Sequence, residues 1–189
     1  MKNDKDWLHA SVLGAMGNTA IEDVLKKRFR VYRFGYESTL QNLTRSEEPE
    51  REDMPQLVRK YSDAFEMIRC MPDFILVDKK DKSKRIFLEV TTNRGEGIKQ
   101  LCETFRGGAK YFKTFNLARF YSDARLINIL WNPENPQINI YSVKIEKEHL
   151  KFFDIPIEEF MTSEDKEMVL ALIRRTTPPP LSFGGKVKD

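Results

Sequence analysis

Apolar positions recur along this chain with two periods, one near 3.6 and one of 2, and the switches between them mark an alternating order of helices and strands. Met1 to Met16 fits a short helix with Trp7, Leu8, Val12 and Leu13 on its apolar side, ended by Gly14 and Gly17. Thr19-Ala-Ile-Glu22 is a capping-box pattern that opens a second helix, with Ile21, Val24, Leu25 and Phe29 at helical spacing up to Arg30. Val31 to Phe34 reads as a strand closed by Gly35, and Gln56 to Ile68 as a helix. Phe74 to Val77 and Ile86 to Val90 are β-prone runs joined by the polar stretch Lys79 to Lys84, which predicts a β-hairpin.

From Gly97 to about Phe115 the spacing predicts a long helix. Ile98, Leu101, Cys102, Phe105, Ala109, Phe112 and Phe115 form its expected buried stripe, and Gly107-Gly108 kinks or splits it. Lys99, Glu103, Arg106, Lys110 and Lys113 form the opposite stripe. Leu126 to Trp131 and Ile138 to Ile145 follow as strands, the second alternating like an outer strand with one wet face. Apolar residues between His149 and Phe160 are available to cover an open edge, and Ser163 is placed to cap a helix from Glu164 to Arg174. The order predicts an α/β fold: a mixed central sheet of four or five strands flanked by helices, in one domain over residues 1–175. A flexible, proline-rich tail is expected over residues 176–189.

Composition narrows this only a little. At 189 residues, with 40% hydrophobic and 32% charged, the chain is long enough for one sizeable core. Net charge is +3, so any affinity for nucleic acid must come from clustering of basic residues. No apolar run approaches the ~18 residues of a membrane span, and no signal core follows the polar start. Cys70 and Cys102 lie in apolar patterns and read as buried, reduced thiols of a cytoplasmic protein. Cys-x-x-Cys pairs are absent and His9 and His149 are isolated, which disfavours a zinc site. Ser46 to Pro55 is acidic and would repel a phosphate backbone.

The chemistry concentrates in the hairpin. Asp73 follows Pro72 at the entry of the first strand, and Glu89 interrupts the apolar run Ile-Phe-Leu-Glu-Val. A buried carboxylate is costly unless paired, protonated or bound to a metal. Two on adjacent strands suggest a shared hard cation such as Mg²⁺, which takes oxygen ligands. Asp73 also fits a turn position, and Glu89 an exposed strand position in phase with Phe87 and Thr91.

Pro72-Asp73, fifteen residues, then Glu89-Val90-Thr91 resembles the motif of the PD-(D/E)XK nuclease superfamily, whose fold is restriction-endonuclease-like. The order of elements from Asn18 to Tyr141 is similar as well. The resemblance implies Asp73 and Glu89 as ligands of Mg²⁺ (or Mn²⁺), with the Val90 carbonyl as a third oxygen. It also implies a role for Glu22, since many members carry a Glu on the first core helix that completes the acidic cluster. The chain departs from the motif where the family has a lysine two residues after the second acid, for Thr91 stands there. Either Thr91 serves with the metal alone, or a cation reaches in from elsewhere, Lys99 with Gln100 beside it being the expected source. Or the site is silent.

The expected function is metal-dependent hydrolysis of phosphodiester bonds, with DNA as the substrate. The alternative is a catalytically inactive nuclease-fold protein that binds DNA or a protein partner. Arg94, Lys99, Gln100, Arg106, Lys110 and Lys113 are the expected nucleic-acid contacts. The same stripe also fits a solvated helix face, because Glu103 interrupts it. Cutting both strands of a duplex would ordinarily require two sites, hence a homodimer.

Overall fold

The computed structural model describes residues 4–34, 67, 70–93, 96–104, 108–121, 123–132 and 135–176. Helix α1 (Asp4–Arg28) leads directly into strand β1 (Phe29–Arg33). The hairpin β2 (Phe74–Asp78) and β3 (Arg85–Asn93) follows, then helices α2 (Ile98–Thr104) and α3 (Ala109–Phe120). Strands β4 (Ala124–Leu130), β5 (Gln137–Glu146) and β6 (His149–Asp154), a 3-10 turn at Ile157–Glu159 and helix α4 (Ser163–Thr176) complete the order.

The strands form one six-stranded sheet in the order β1-β2-β3-β4-β5-β6. β3 and β4 run parallel, and every other neighbouring pair is antiparallel. The fold is therefore α/β with a mixed sheet, as the sequence predicts, but with six strands instead of four or five, because His149–Asp154 pairs with β5 as an added edge strand. Parallel neighbours cannot be joined by a tight turn, so α2 and α3 occupy the crossover between them.

Helices cover both faces. On one, Ile21, Val24 and Leu25 of α1 and Val169, Leu170 and Ile173 of α4 pack against Leu76, Leu88, Val90, Ile127, Ile129 and Ile140. On the other, Ile98 and Cys102 of α2 pack with Leu126, Tyr141 and Val143. Leu117 of α3 and Tyr121 pack with Cys70, Ala124 and Phe87 on that same face. Cys70 and Cys102 are buried thiols. Among the described residues no helix is long and apolar enough to cross a membrane.

Several expectations are corrected. The break at Gly14 and Gly17 does not occur, because α1 is one helix of 25 residues. The Thr19 hydroxyl donates back to the Ala15 carbonyl at 2.9 Å, as a residue inside a helix does, so Thr19-Ala-Ile-Glu22 caps nothing. Gly17 serves packing: a Cβ there would lie 3.0 Å from Thr92 Cγ2 and 3.1 Å from Ile129 Cδ1. At the other end, Lys79 Nζ donates to the Lys26 and Lys27 carbonyls at 2.6 and 3.2 Å, satisfying orphan acceptors of the last turn.

The long stretch after Gly97 is split into α2 and α3, one of the two outcomes expected there, and α3 starts from an extended Gly108. The stripe predicted across the break therefore loses phase. Ile98 and Cys102 are buried as expected, but Phe112 is 56% exposed, while Thr114 and Leu117 face inward.

β5 is an inner strand. Its residues Ile140 to Val143 are all buried, and β6 pairs along its outer side. The two join through Lys147-Glu148, with φ of 48° and 63°. Both values are left-handed, as a two-residue type I′ hairpin turn requires. Neither residue is the Asn or Gly that normally signals such a turn.

The cap of α4 is Thr162, one residue before Ser163. The Asp165 N–H donates to the Thr162 hydroxyl at 3.1 Å, and that hydroxyl donates to Asp165 Oδ2 at 2.9 Å. The other Asp165 oxygen pairs with Lys27 of α1, so the two helices on this face are tied by charge. The helix expected over Gln56 to Ile68, the acidic Ser46–Pro55 stretch and the tail beyond Thr176 fall outside the described residues, Met67 excepted.

Gly17→Leu should destabilise the fold by about 1–3 kcal/mol through overpacking, whereas Gly14→Ala should be neutral or stabilise by up to about 1 kcal/mol. Denaturant unfolding of both variants measures the difference, and equal effects would refute the packing role of Gly17. In the same assay Glu148→Gly should stabilise by up to about 1 kcal/mol, because glycine carries no Cβ penalty at positive φ. A loss of stability there would show that the turn is unstrained.

Candidate functional site

The first strand of the hairpin begins at Phe74, which pairs with Leu88 of β3. Continuing that antiparallel register by one residue sets Asp73 opposite Glu89, and opposed residues share a face. Asp73 Oδ2 accepts a hydrogen bond from the Val90 backbone N–H at 2.8 Å, so its carboxylate is fixed against β3 beside Glu89. The Asp73 carbonyl accepts from the Phe34 N–H at 2.9 Å, which anchors the same residue to the end of β1.

Glu89 is not an exposed strand residue. It is 5% exposed, on the face that α3 covers, while Leu88 and Val90 enter the core beneath α1. Its Oε1 pairs with Lys113 Nζ, reaching down from α3. Its Oε2 is buried and has no hydrogen-bond partner. Glu89, Thr91, Lys110, Lys113, Thr114 and Leu117 line a hollow of about 30 Å³, room enough to hold water.

Burial pushes the Glu89 carboxyl up to about 8, and the nearby Asp73 charge adds to this, while Lys113 partly offsets it. Burial works against the Lys113 ammonium, but the Glu89 and Asp73 charges outweigh it and hold Lys113 above the usual lysine value. The two directions agree: two acids share one ammonium, so the excess negative charge is relieved by holding a proton on Glu89. Lys110, one turn earlier on α3, donates to the Thr92 carbonyl at 3.2 Å, and burial lowers its value.

The remaining expected residues fall into three groups. Thr91 lies two positions beyond Glu89 on the same face and lines the hollow. Glu22 is buried, but on the α1 side of the sheet, where Arg33 Nε donates to Oε2 at 2.7 Å and Lys26 pairs with Oε1 at 2.8 Å. Those two cations hold its carboxyl below the ordinary value despite the cost of burial. It does not join Asp73 and Glu89, and among the described residues no group of three or more His, Cys, Asp or Glu is gathered as a metal site. Lys99 and Gln100 sit in the first turn of α2, outside the hollow, so the lysine at Glu89 is Lys113 and not Lys99. Arg94 and Arg106 fall outside the described residues.

Lys113 was legible only as part of a basic stripe. Its spacing from Lys110, Thr114 and Leu117 is the signal that could have placed it inward, once α3 is phased separately from α2.

Two carboxylates on one face, one with an unpaired buried oxygen, form an oxygen donor set suited to a hard divalent cation. These two side chains are the oxygen donors that a Mg²⁺ or Mn²⁺ ion would find on this face. No family model, curated protein or solved structure matches this chain.

A Glu89 value raised from 4.5 to about 8 makes stability depend on pH. Below both values the group is protonated folded and unfolded and costs nothing. Between them the unfolded chain releases a proton that the folded chain keeps. Stability then falls as pH rises, by up to about 1.4 kcal/mol per unit, and the loss is complete above both values. Glu89→Gln removes this slope, so its stability advantage over wild type should widen from about pH 5 to about pH 8. Thermal or urea unfolding across that range tests it, and a constant difference would show that Glu89 titrates normally.

Proposed function

We propose that this chain is a metal-dependent nuclease that hydrolyses phosphodiester bonds, with DNA as its substrate. The observation that carries the reading is the meeting of Asp73, Glu89 and Lys113 on one face of the sheet, with Glu89 Oε2 unpaired. The resemblance of Pro72-Asp73 and Glu89-Val90-Thr91 to the PD-(D/E)XK motif is met by a lysine that arrives from α3 instead of from β3. Nucleic acid as partner, a pair of chains for cutting duplex and the cytoplasm as compartment belong to the same proposal.

Asp73, Glu89 and the Val90 carbonyl would hold the ion. A divalent cation here supplies an activated water and polarises the phosphoryl oxygen. The chain's own groups do the rest. Lys113 offers a full positive charge to the negative charge that develops on the phosphoryl oxygens, which the hydroxyl of Thr91 cannot do. The Thr91 hydroxyl, which lines the hollow, would orient a water there. Lys110, tethered to the Thr92 carbonyl, keeps a second cation beside the path of the phosphate backbone. Water adds to phosphorus, the ester oxygen leaves with a proton, and the products are an alcohol and a phosphomonoester.

The Lys113–Glu89 ion pair also favours a second reading, in which the pair closes the site and the fold binds nucleic acid or protein without cutting. One experiment separates the two. Supercoiled plasmid, linear duplex, single strands, junctions and RNA are incubated with Mg²⁺ or Mn²⁺. Wild type should cut, and Asp73→Ala, Glu89→Ala and Lys113→Ala should each lose about 10²–10³-fold, the usual cost of one preorganised charge-stabilising group. Lys99→Ala should lose far less than Lys113→Ala. An intact panel with salt-sensitive retention would instead establish the silent binder.

A further inference from the structure

We propose that Lys113 is the resident counter-cation of this site and is exchanged out of it when a divalent ion enters. This rests on the metal-dependent reading above and deepens it, because it makes metal loading the event that frees the catalytic lysine.

The starting point is what Glu89 needs when no ion is bound. Its side chain is 6% exposed, and Asp73 stands beside it on the same face. Among the described residues the cation paired with Glu89 is Lys113. An ion taken by the unclaimed Oε2 would lie beside the ammonium held on Oε1, and two cations on one buried carboxylate repel each other. An ion can be ligated only by ionised Glu89, so any proton the group holds leaves as the ion enters; Asp73 and Glu89 ionised with Lys113 charged leave the trio one negative. A divalent ion in place of the ammonium leaves none. A monovalent ion would only reproduce the charge Lys113 already supplies, so the exchange favours divalent cations.

The chain is built to let Lys113 go. Its side chain is 46% exposed, so the four-carbon stem can swing to solvent without moving α3. α3 itself is held by Leu117, buried against the sheet. Lys110 does not follow, since its ammonium is tied to the Thr92 carbonyl. The displaced Lys113 ammonium is then at the mouth of the hollow, where a phosphate would meet it. The order of events is set: the ion enters first, and only then is Lys113 available to substrate.

The experiment is a calorimetric titration of the full chain with Mn²⁺ alone, with no nucleic acid present. Wild type, Lys113→Met, Lys113→Arg and Glu89→Gln are compared after each is shown to melt cooperatively. Lys113→Met keeps the stem and removes the competing charge, so it should bind Mn²⁺ about tenfold or more tightly than wild type. Lys113→Arg should stay near wild type, and Glu89→Gln should bind weakly or not at all. Wild-type binding that Lys113→Met leaves unchanged or weakens would overturn the exchange while sparing the metal-dependent reading. No binding by wild type or Lys113→Met would overturn both. A second readout needs no destabilising variant. In ¹⁵N-lysine spectra of wild type, the ammonium signal that Lys113→Arg deletes should be protected from solvent without ion and lose protection as diamagnetic Mg²⁺ is added. Protection retained at saturating Mg²⁺ would overturn the exchange as well.

Discussion

A carboxylate inside a sheet covered on both faces must take a proton or find a cation. Glu89 does some of each: burial and Asp73 raise its proton affinity, and Lys113 supplies the charge. Much of the architecture around it follows from that need. The cation must come from the helix above that face. The helix must cross from β3 to β4, and its lysines must point inward toward an apolar floor. An uncompensated acid in this position would cost several kcal/mol, enough to threaten a fold of ordinary marginal stability.

The parallel β3–β4 pair creates the room for this arrangement. Because the connection cannot be a turn, two helices span it, and their start is fixed by polar groups. Asn93 at the end of β3 and Asn128 of β4 are both buried, and Asn93 Nδ2 donates to Asn128 Oδ1. The same oxygen accepts from the Ile98 N–H at 3.4 Å, where α2 begins. The opposite face is closed by α1, brought near by Gly17, and by α4, joined to α1 through Lys27 and Asp165. The site is thus a consequence of layering, with charge placed where three layers leave one small space.

How much of the site was legible depended on whether its signal was local. Glu89 stands out as a polar residue where an apolar strand should be unbroken and Asp73 as an acid after Pro72 at the entry of the paired strand, and the short hairpin between them fixes their register. Thr91 follows from the same alternation. Lys113 is different. Its inward aim depends on the rotation of α3, which starts anew from Gly108, so a stripe drawn through both helices points it at solvent. Glu22 shows the opposite failure. Its local pattern mimics a capping box, and only the packing of α1 through Gly14 and Gly17 reveals a mid-helix residue paired with Arg33 and Lys26.

By itself, the sequence determined the α/β class, the hairpin, the two acids as candidates and the stripes of α1 and α2, because periods of 2 and 3.6 report which side of an element is apolar over a few residues. It could not determine what lies opposite that side. β6 was hidden because Lys147-Glu148 adopts left-handed conformations that only strand pairing imposes. The phase of helix α3, the close approach at Gly17 and the lysine that meets Glu89 were all decided by tertiary structure. Each depends on the relative position of segments far apart in the chain, and local periodicity carries no information about that distance.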